Sequence, residues 1–199
     1  MKARWLNSKL CATEKTYHYS NFREHPSRSI LVLSPLNEST AVGGAYSLLS
    51  TVTCPLAEMG YYVYPVSVMD HFLKENGLPT AGEMHQIPLD KILEIIGADA
   101  VLYLTFQQYG TKYAVFFSVT TVAVEGKLVD TRTGQVLWEG KAGCQENPGG
   151  HPLVVAVLRV VSSSVDVSHE FCRTVSTNLF VTPNHGLLPG PYHPQMENQ

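Results

Sequence analysis

A short segment of this chain, Lys127–Gly140, restricts its fold more than any other stretch because it predicts a β-hairpin. Apolar, strand-forming residues flank an Asp-x-x-x-Gly turn in the sequence KLVDTRTGQVLWEG. The Asp130 carboxylate can accept hydrogen bonds from the backbone two residues on, and Gly134 can adopt the positive φ of a turn followed by a bulge. Trp138 is expected to be partly buried on the second strand. The segment therefore predicts a structural hairpin, and it contains no catalytic constellation.

Charge composition argues against nucleic acid as a partner. Only 16% of the 199 residues are charged and the formal net charge is −3, so the chain has no basic face to neutralise a row of phosphates. This length is that of one ordinary domain, which buries roughly two thirds of the surface that its unfolded chain exposes.

The cysteines and histidines predict no metal site and no cofactor. The four cysteines lack CxxC spacing, and the eight histidines contain no HExxH motif. Cys54, Cys144 and Cys172 could be free thiols in the core, or one pair of them could form a disulfide in an oxidising compartment. The sequence leaves both alternatives open.

Residues 1–28 are polar and predict a tether that leads into the domain. A secretory leader needs a basic start and then an apolar run of about 7 to 15 residues, whereas residues 1–10 have only the basic start. Cys11 and the polar run after it are nevertheless typical of a bacterial lipoprotein just after its lipidated cysteine. Either the leader was replaced and Cys11 bears lipid, or Cys11 is a thiol in an N-terminal arm. No other segment has the apolar length of a membrane span.

The order of apolar runs and breaks predicts an α/β fold. An apolar strand, Ser29–Leu33, a helix over Ala45–Met59 kinked at Pro55, and a strand, Tyr61–Val66, form a β-α-β unit. The elements predicted next are a short helix that ends at Gly77, a helix over Leu89–Ile96 that ends at Gly97, and strands over Ala98–Phe106 and Tyr113–Glu125. The hairpin and a long helix from Pro152 to about Phe180 complete the pattern. We therefore expect one layered domain over residues 29–182, with a mixed sheet, a C-terminal helix and a disordered tail over 183–199.

One loop is a candidate for binding a ligand or a partner. Asn37, Glu38, Gly43 and Gly44 follow the first strand, where an open α/β sheet tends to hold ligands, and precede a helix whose N-terminus could meet an anion. A plain flexible loop explains the glycines better, because neither GxGxxG nor GK[ST] is present. His71 beside Asp70 and His85 near Glu83 suggest acid–base pairs, but adjacent residues on a helix do not face each other.

Four segments together resemble a family of Gram-negative outer-membrane lipoproteins, over about residues 11–180. The segments are residues 29–40, 49–63, 97–103 and 127–138. The hairpin alone is less specific, because similar turns occur in other periplasmic lipoproteins, including the CsgG type and TolB-N-like domains.

The resemblance implies a lipid anchor on Cys11 and a place on the periplasmic side of the outer membrane. It further implies a non-enzymatic protein that binds protein partners, such as a CsgG-like lipoprotein or other copies of itself, as an accessory or structural component of an envelope secretion or assembly complex. The alternative is a small-ligand-binding or hydrolytic α/β protein that uses the loop from Asn37 to Gly44.

Overall fold

A mixed sheet of six strands runs through the computed structural model of this chain, which describes residues 19–24, 26–39, 44–114, 117–146, 167–183 and 185–194. Its strands are β1 (Ser29–Val32), β2 (Leu36–Asn37), β3 (Tyr62–Val63), β4 (Ala100–Ala114), β5 (Phe117–Asp130) and β6 (Val136–Glu146). The helices of the described residues are α1 (Ser20–Glu24), α2 (Gly44–Thr51), α3 (Thr53–Glu58), α4 (Val66–Glu75), α5 (Ala81–Met84), α6 (Leu89–Ile95) and α7 (Val167–Val181).

The strand order confirms the predicted fold class. β1 lies between β3 and β4 and is parallel to both, while β4, β5 and β6 are successive antiparallel neighbours. β2 continues beside β4, also in the parallel direction. The unit from β1 through α2 and α3 to β3 is the predicted β-α-β crossover, and α7 is the predicted C-terminal helix.

Two apolar cores cover the two faces of the sheet. Ile30 and Val32 of β1 belong to a larger core with α2, α3 and α7, whereas Leu31 and Leu33 belong to a smaller core with α4, α5 and α6. Successive side chains of a strand point to opposite faces, so an uninterrupted apolar run can fill both cores. The sheet is therefore the middle of three layers.

The predicted helix over Ala45–Met59 is two helices, and its break does not lie at Pro55. The helices α2 and α3 are separated at Val52, and Pro55 lies in the first turn of α3. The first turn of a helix tolerates proline because its backbone N–H groups have no partner within the helix. The prediction placed the bend too late by three residues.

The predicted strand Tyr113–Glu125 contains parts of two strands. Ala114, at the end of β4, pairs with Phe117, at the start of β5, so the chain reverses its direction between them. No glycine, proline or asparagine marks this reversal in the sequence, and the alternation of side chains runs on through it. β5 then continues without a break to Asp130.

The last described segment, residues 185–194, packs against the domain, although a disordered tail is expected from its composition. We call this segment the C-terminal strap. Leu187 is buried in the larger core, the N–H of Gly190 donates to the Met59 carbonyl at 2.7 Å, and the N–H of Tyr192 donates to the Gly60 carbonyl at 3.1 Å. A glycine- and proline-rich chain can be held in this way because its backbone groups find partners outside regular secondary structure. The first part of the predicted C-terminal helix, residues 152–166, lies outside the described residues.

Candidate functional site

The hairpin between β5 and β6 has the predicted geometry. Asp130 Oδ1 accepts hydrogen bonds from the N–H groups of Arg132 at 2.9 Å and Thr133 at 2.7 Å. Gly134 has a φ of 71°, and its N–H donates to the Asp130 carbonyl at 3.0 Å. These contacts close the turn and satisfy Oδ1 of the buried Asp130 carboxylate.

Trp138 is fully buried rather than partly buried, and two glycines make room for its ring. Gly126 of β5 pairs with Gly140 of β6, and a Cβ on Gly140 would come within 2.7 Å of Trp138 Cη2. The indole N–H donates to the His185 carbonyl in the C-terminal strap at 2.8 Å. Trp138 thus connects the hairpin to the strap, a contact that sequence spacing does not reveal.

Asp99 connects the hairpin turn to the beginning of β1. Its Oδ2 accepts the N–H groups of Arg28 at 3.1 Å and Ser29 at 3.2 Å, and its Oδ1 accepts a hydrogen bond from the Arg132 guanidinium at 2.6 Å. The Thr131 N–H donates to the Asp99 carbonyl at 3.0 Å. Sequence reasoning missed Asp99, whose partners lie about 30 and 70 positions away along the chain.

The candidate loop offers few free groups among its described residues. Asn37 Oδ1 accepts hydrogen bonds from the N–H of Ser39 at 3.0 Å and from its hydroxyl at 2.6 Å. The exposed Glu38 continues the β2 ladder, because its N–H donates to the Phe106 carbonyl at 2.9 Å. Gly44 is buried at the start of α2, and Gly43 lies outside the described residues. The Asn37 amide oxygen is thus used within the loop, by Ser39.

A group of polar side chains lies just beyond the carboxyl end of β1, and we call it the β1 cluster. It consists of Tyr46, Ser34, Asp70, Lys74, His85 and Tyr103. The Ser34 hydroxyl donates to Asp70, whose other oxygen lies 2.6 Å from Lys74 Nζ. His85 Nε2 lies 2.9 Å from the Ser34 carbonyl oxygen, and the His85 ring meets the Tyr103 ring edge-on, with 5.1 Å between centroids.

The acid–base pairs suggested by the sequence are not formed. His71 is exposed, while Asp70 on the same helix pairs with Lys74. Glu83 forms a capping box at the start of α5, where its carboxylate accepts the Thr80 N–H at 2.9 Å. The sequence pattern could have revealed this cap, because a threonine followed three residues later by a glutamate is its signature.

The hydrogen bonds of the β1 cluster affect the protonation of its two basic groups, Lys74 and His85. The hydrogen bond to Asp70 raises the pKa of Lys74, so its ammonium stays charged in the ion pair. Burial lowers the pKa of His85, although the hydrogen bond to the Ser34 carbonyl opposes that shift. His85 thus uses its proton on a backbone carbonyl, and the Ser34 hydroxyl donates to Asp70 rather than to His85. A serine nucleophile activated by histidine would need the reverse arrangement.

The three cysteines within the described residues are present as thiols. Cys54 is exposed, and Cys144 and Cys172 are buried in the larger core. The negative charge of Glu58 raises the pKa of Cys54, which works against a reactive thiolate. Of the two alternatives left open for these cysteines, the structure has thiols rather than a disulfide. Cys11 lies outside the described residues, in which no group of three or more His, Cys, Asp or Glu side chains could hold a metal ion.

Large apolar side chains are exposed on β3, at the edge of the sheet, and on the helices α4 and α6. We call them the outer apolar set: Tyr62, Val68, Phe72 and Ile95, with exposed fractions of 53%, 56%, 38% and 65%. Val68 and Phe72 lie one turn apart on α4. Tyr62 contacts Tyr64, whose hydroxyl donates to the carbonyl of Ile96, next to Ile95. These contacts place Tyr62 close to the end of α6.

The sequence and the fold place this chain among bacterial lipoproteins. Residues 17–192 match the model of the family described as "Putative lipoprotein GNA1162-like", and the chain belongs to that family. It is 39% identical over 191 residues to "Putative lipoprotein NMB1124/NMB1162" of Neisseria meningitidis serogroup B, a match that covers 91% of this chain and 89% of that protein.

A solved structure supports the same assignment. The crystal structure of lipoprotein GNA1162 from Neisseria meningitidis is 41% identical, with a TM-score of 0.58, and the match covers 68% of this chain and 98% of that chain. The resemblance to a lipoprotein family is thereby confirmed, whereas the relation to CsgG-like and TolB-N-like domains stays a prediction. None of the helices in the described ranges has the length and apolar character to cross a bilayer.

Proposed function

We propose that this chain is a non-enzymatic lipoprotein, anchored through Cys11 to the periplasmic side of the outer membrane, which acts by binding protein partners. Membership of a lipoprotein family over residues 17–192 is the observation that carries the proposal. The partner is a CsgG-like lipoprotein or a second copy of this chain, within an envelope secretion or assembly complex.

The occupied polar groups support a role without catalysis. In the β1 cluster, Lys74 is paired with Asp70 and His85 donates to a backbone carbonyl. In the hairpin, Asp130 and Asp99 accept hydrogen bonds from several backbone N–H groups. A catalytic acid needs a proton and a catalytic base needs a lone pair that it can offer to a substrate, whereas Lys74 and His85 donate within the fold and Asp99 and Asp130 accept within it.

The outer apolar set supports protein binding. Exposed aromatic and aliphatic side chains next to polar groups are typical of protein interfaces. The candidate loop gives less support to a ligand site, because the Asn37 amide oxygen is used by Ser39.

Lipid attachment is tested on the protein made from its own chromosomal gene, after growth with an alkyne-bearing palmitate. We expect the label on the natural protein, loss of the label in Cys11→Ser, and retention in the control Cys54→Ser, which removes an exposed thiol. Equal labelling of the Cys11→Ser protein would refute the anchor.

Partner binding is tested with a photo-crosslinking amino acid at Ile95, which is well exposed. We expect adducts with an envelope protein in intact cells, and we expect Val68→Ser combined with Phe72→Ser to reduce them several-fold. His71→Ser is the matched control, because His71 is exposed on the same helix. Adducts of equal yield in all three proteins, or none in the natural protein, would contradict this surface.

A further inference from the structure

The chain between the proposed lipid and the domain joins the domain at a defined surface. The Tyr19 hydroxyl donates to the Gly186 carbonyl in the C-terminal strap. Phe22 of α1 is buried and packs edge-on against Tyr61, with 6.4 Å between ring centroids. The Tyr61 hydroxyl in turn donates to the Leu188 carbonyl of the strap. The N-terminal chain therefore leaves the domain at the strap.

The tether is too short to reach the opposite side of the domain. Seven residues separate Cys11 from Tyr19, so the two are at most about 28 Å apart even when the chain is fully extended. A globular chain of this size is roughly 40 Å across, and the path around half of it is longer still. A lipid on Cys11 thus keeps the strap side of the domain near the bilayer.

The distribution of charged residues also favours the strap side as the side near the bilayer. Residues 172–194, which include the end of α7 and the strap, contain no Asp or Glu and one Arg. Residues 66–95, which include α4, α5 and α6, contain five carboxylates and two lysines, and this difference equals the net charge of −3 for the whole chain. These two regions pack on opposite faces of the sheet. An anionic lipid surface therefore repels the acidic layer more strongly than it repels the strap.

The exposed side chains of the strap side suit a lipid interface. Tyr192 is 66% exposed and Val181, at the end of α7, is 43% exposed. Tyrosine is enriched where membrane and water meet, because its ring is apolar and its hydroxyl is polar. This surface offers apolar contact, and the exposed Glu58 lies beside it, next to Met59, whose carbonyl accepts the Gly190 N–H.

We infer that the C-terminal strap and the end of α7 form the surface that this protein holds against the phospholipid bilayer, so that the acidic α4–α6 layer and its outer apolar set face away from the membrane. The inference rests on the proposed anchor at Cys11. In this orientation the strap contacts lipid, and the α4–α6 layer on the opposite face of the sheet remains available to protein partners.

The test couples the Cys11 thiol of the full chain to a maleimide-bearing lipid in phosphatidylethanolamine and phosphatidylglycerol vesicles. Coupling in vitro makes the test independent of whether cells attach a lipid, which the palmitate experiment decides separately. The background substitution Cys54→Ser removes the exposed thiol. A fluorophore is placed through an azide-bearing amino acid at Tyr192 or, as the matched control, at the exposed His71.

A nitroxide on the lipid headgroup then reports which position is near the bilayer. We expect quenching at position 192 to be several-fold greater than at position 71, and quenching at position 71 to equal that of a Cys11→Ser protein mixed with the same vesicles. Equal quenching at the two positions, or greater quenching at 71, would overturn the inference. Neither labelled residue is buried, so both variants are expected to fold.

Discussion

At the scale of single residues, the surroundings of His85 show how a pattern in the sequence can suggest the wrong partner. Glu83 is two positions away, but its carboxylate caps α5 through Thr80. His85 instead lies against the Ser34 carbonyl and the Tyr103 ring. The position of Asp130, by contrast, follows from the sequence, because an Asp-x-x-x-Gly turn closes on its own backbone.

Burial of His85 predicts that the protein loses stability as the pH falls. Desolvation lowers the pKa of His85 below its ordinary value of 6.5, so the unfolded chain takes up the proton first. This contribution to stability is fully present above the unfolded pKa and is lost as the pH falls from there through the folded pKa. We expect His85→Gln to make the urea midpoint less dependent on pH between about pH 7.5 and about pH 5.5.

The exposed His71 supplies the control for this measurement. His71→Gln should leave the pH dependence of the midpoint as it is in the natural chain. If the two variants show the same pH dependence, burial of His85 is not its origin.

At the scale of elements, three glycines mark the ends of helices, and one of them has a second role. Gly60, Gly77 and Gly97 follow α3, α4 and α6 with φ values of 84°, 87° and 77°. The sequence predicts helix ends at Gly77 and Gly97, and Gly60 directly follows the predicted helix over Ala45–Met59, because glycine adopts this conformation at little cost. At Gly60 the C-terminal strap also crosses close to the backbone, and a Cβ there would lie 2.6 Å from the His193 Cα.

This difference predicts unequal effects of two similar substitutions. Gly60→Ala and Gly77→Ala both place a side chain at positive φ, which costs roughly 1–2 kcal/mol. Only Gly60→Ala meets the strap, since a Cβ on Gly77 has nothing within 4 Å. We expect Gly60→Ala to lower the free energy of unfolding further and to speed hydrogen exchange at the N–H groups of Gly190 and Tyr192. An equal loss of stability in both variants, with unchanged exchange, would argue against this contact.

At the scale of the whole molecule, the C-terminal strap ties together parts that are distant in the chain. It places Leu187 in the larger core and receives the Trp138 N–H and the Tyr61 hydroxyl on its backbone carbonyls. The sheet has a core on each face, but only the larger core includes strap residues. The strap is therefore part of the folded domain and completes the larger core.

Removal of the C-terminal strap measures how much the strap contributes to the stability of the domain. A chain that ends after residue 184 loses the burial of Leu187 and leaves Trp138 Nε1 and the Tyr61 hydroxyl without their partners. We expect the free energy of unfolding to fall by about 3 kcal/mol or more. A chain that ends after residue 194 is the control and should unfold at the midpoint of the full chain. If both truncated chains match the full chain, the strap contributes nothing to the core.

Much of the fold can be predicted from local sequence patterns, whereas less of the candidate site can be predicted from them. The single strands and helices and the hairpin are each encoded in runs of fewer than twenty residues, in which periodicity and turn chemistry suffice. The reversal between Ala114 and Phe117 escaped prediction because no turn-forming residue marks it. The contact of Asp70 with Ser34 and the partners of His85 and Asp99 were also not predicted, because these residues are far apart in the chain and meet only when it has folded.

The sequence by itself determined the local structure: the Asp130–Gly134 turn, the helix ends at Gly77 and Gly97, and an apolar β1 covered on both faces. These features depend on the conformational preferences of single residues and on contacts within a few positions. Only the tertiary structure decided that Trp138 would lie beneath the C-terminal strap and that Tyr19 would meet Gly186, 167 residues away. Such contacts form because burial and backbone hydrogen bonding act across the whole folded chain, and no local pattern contains them.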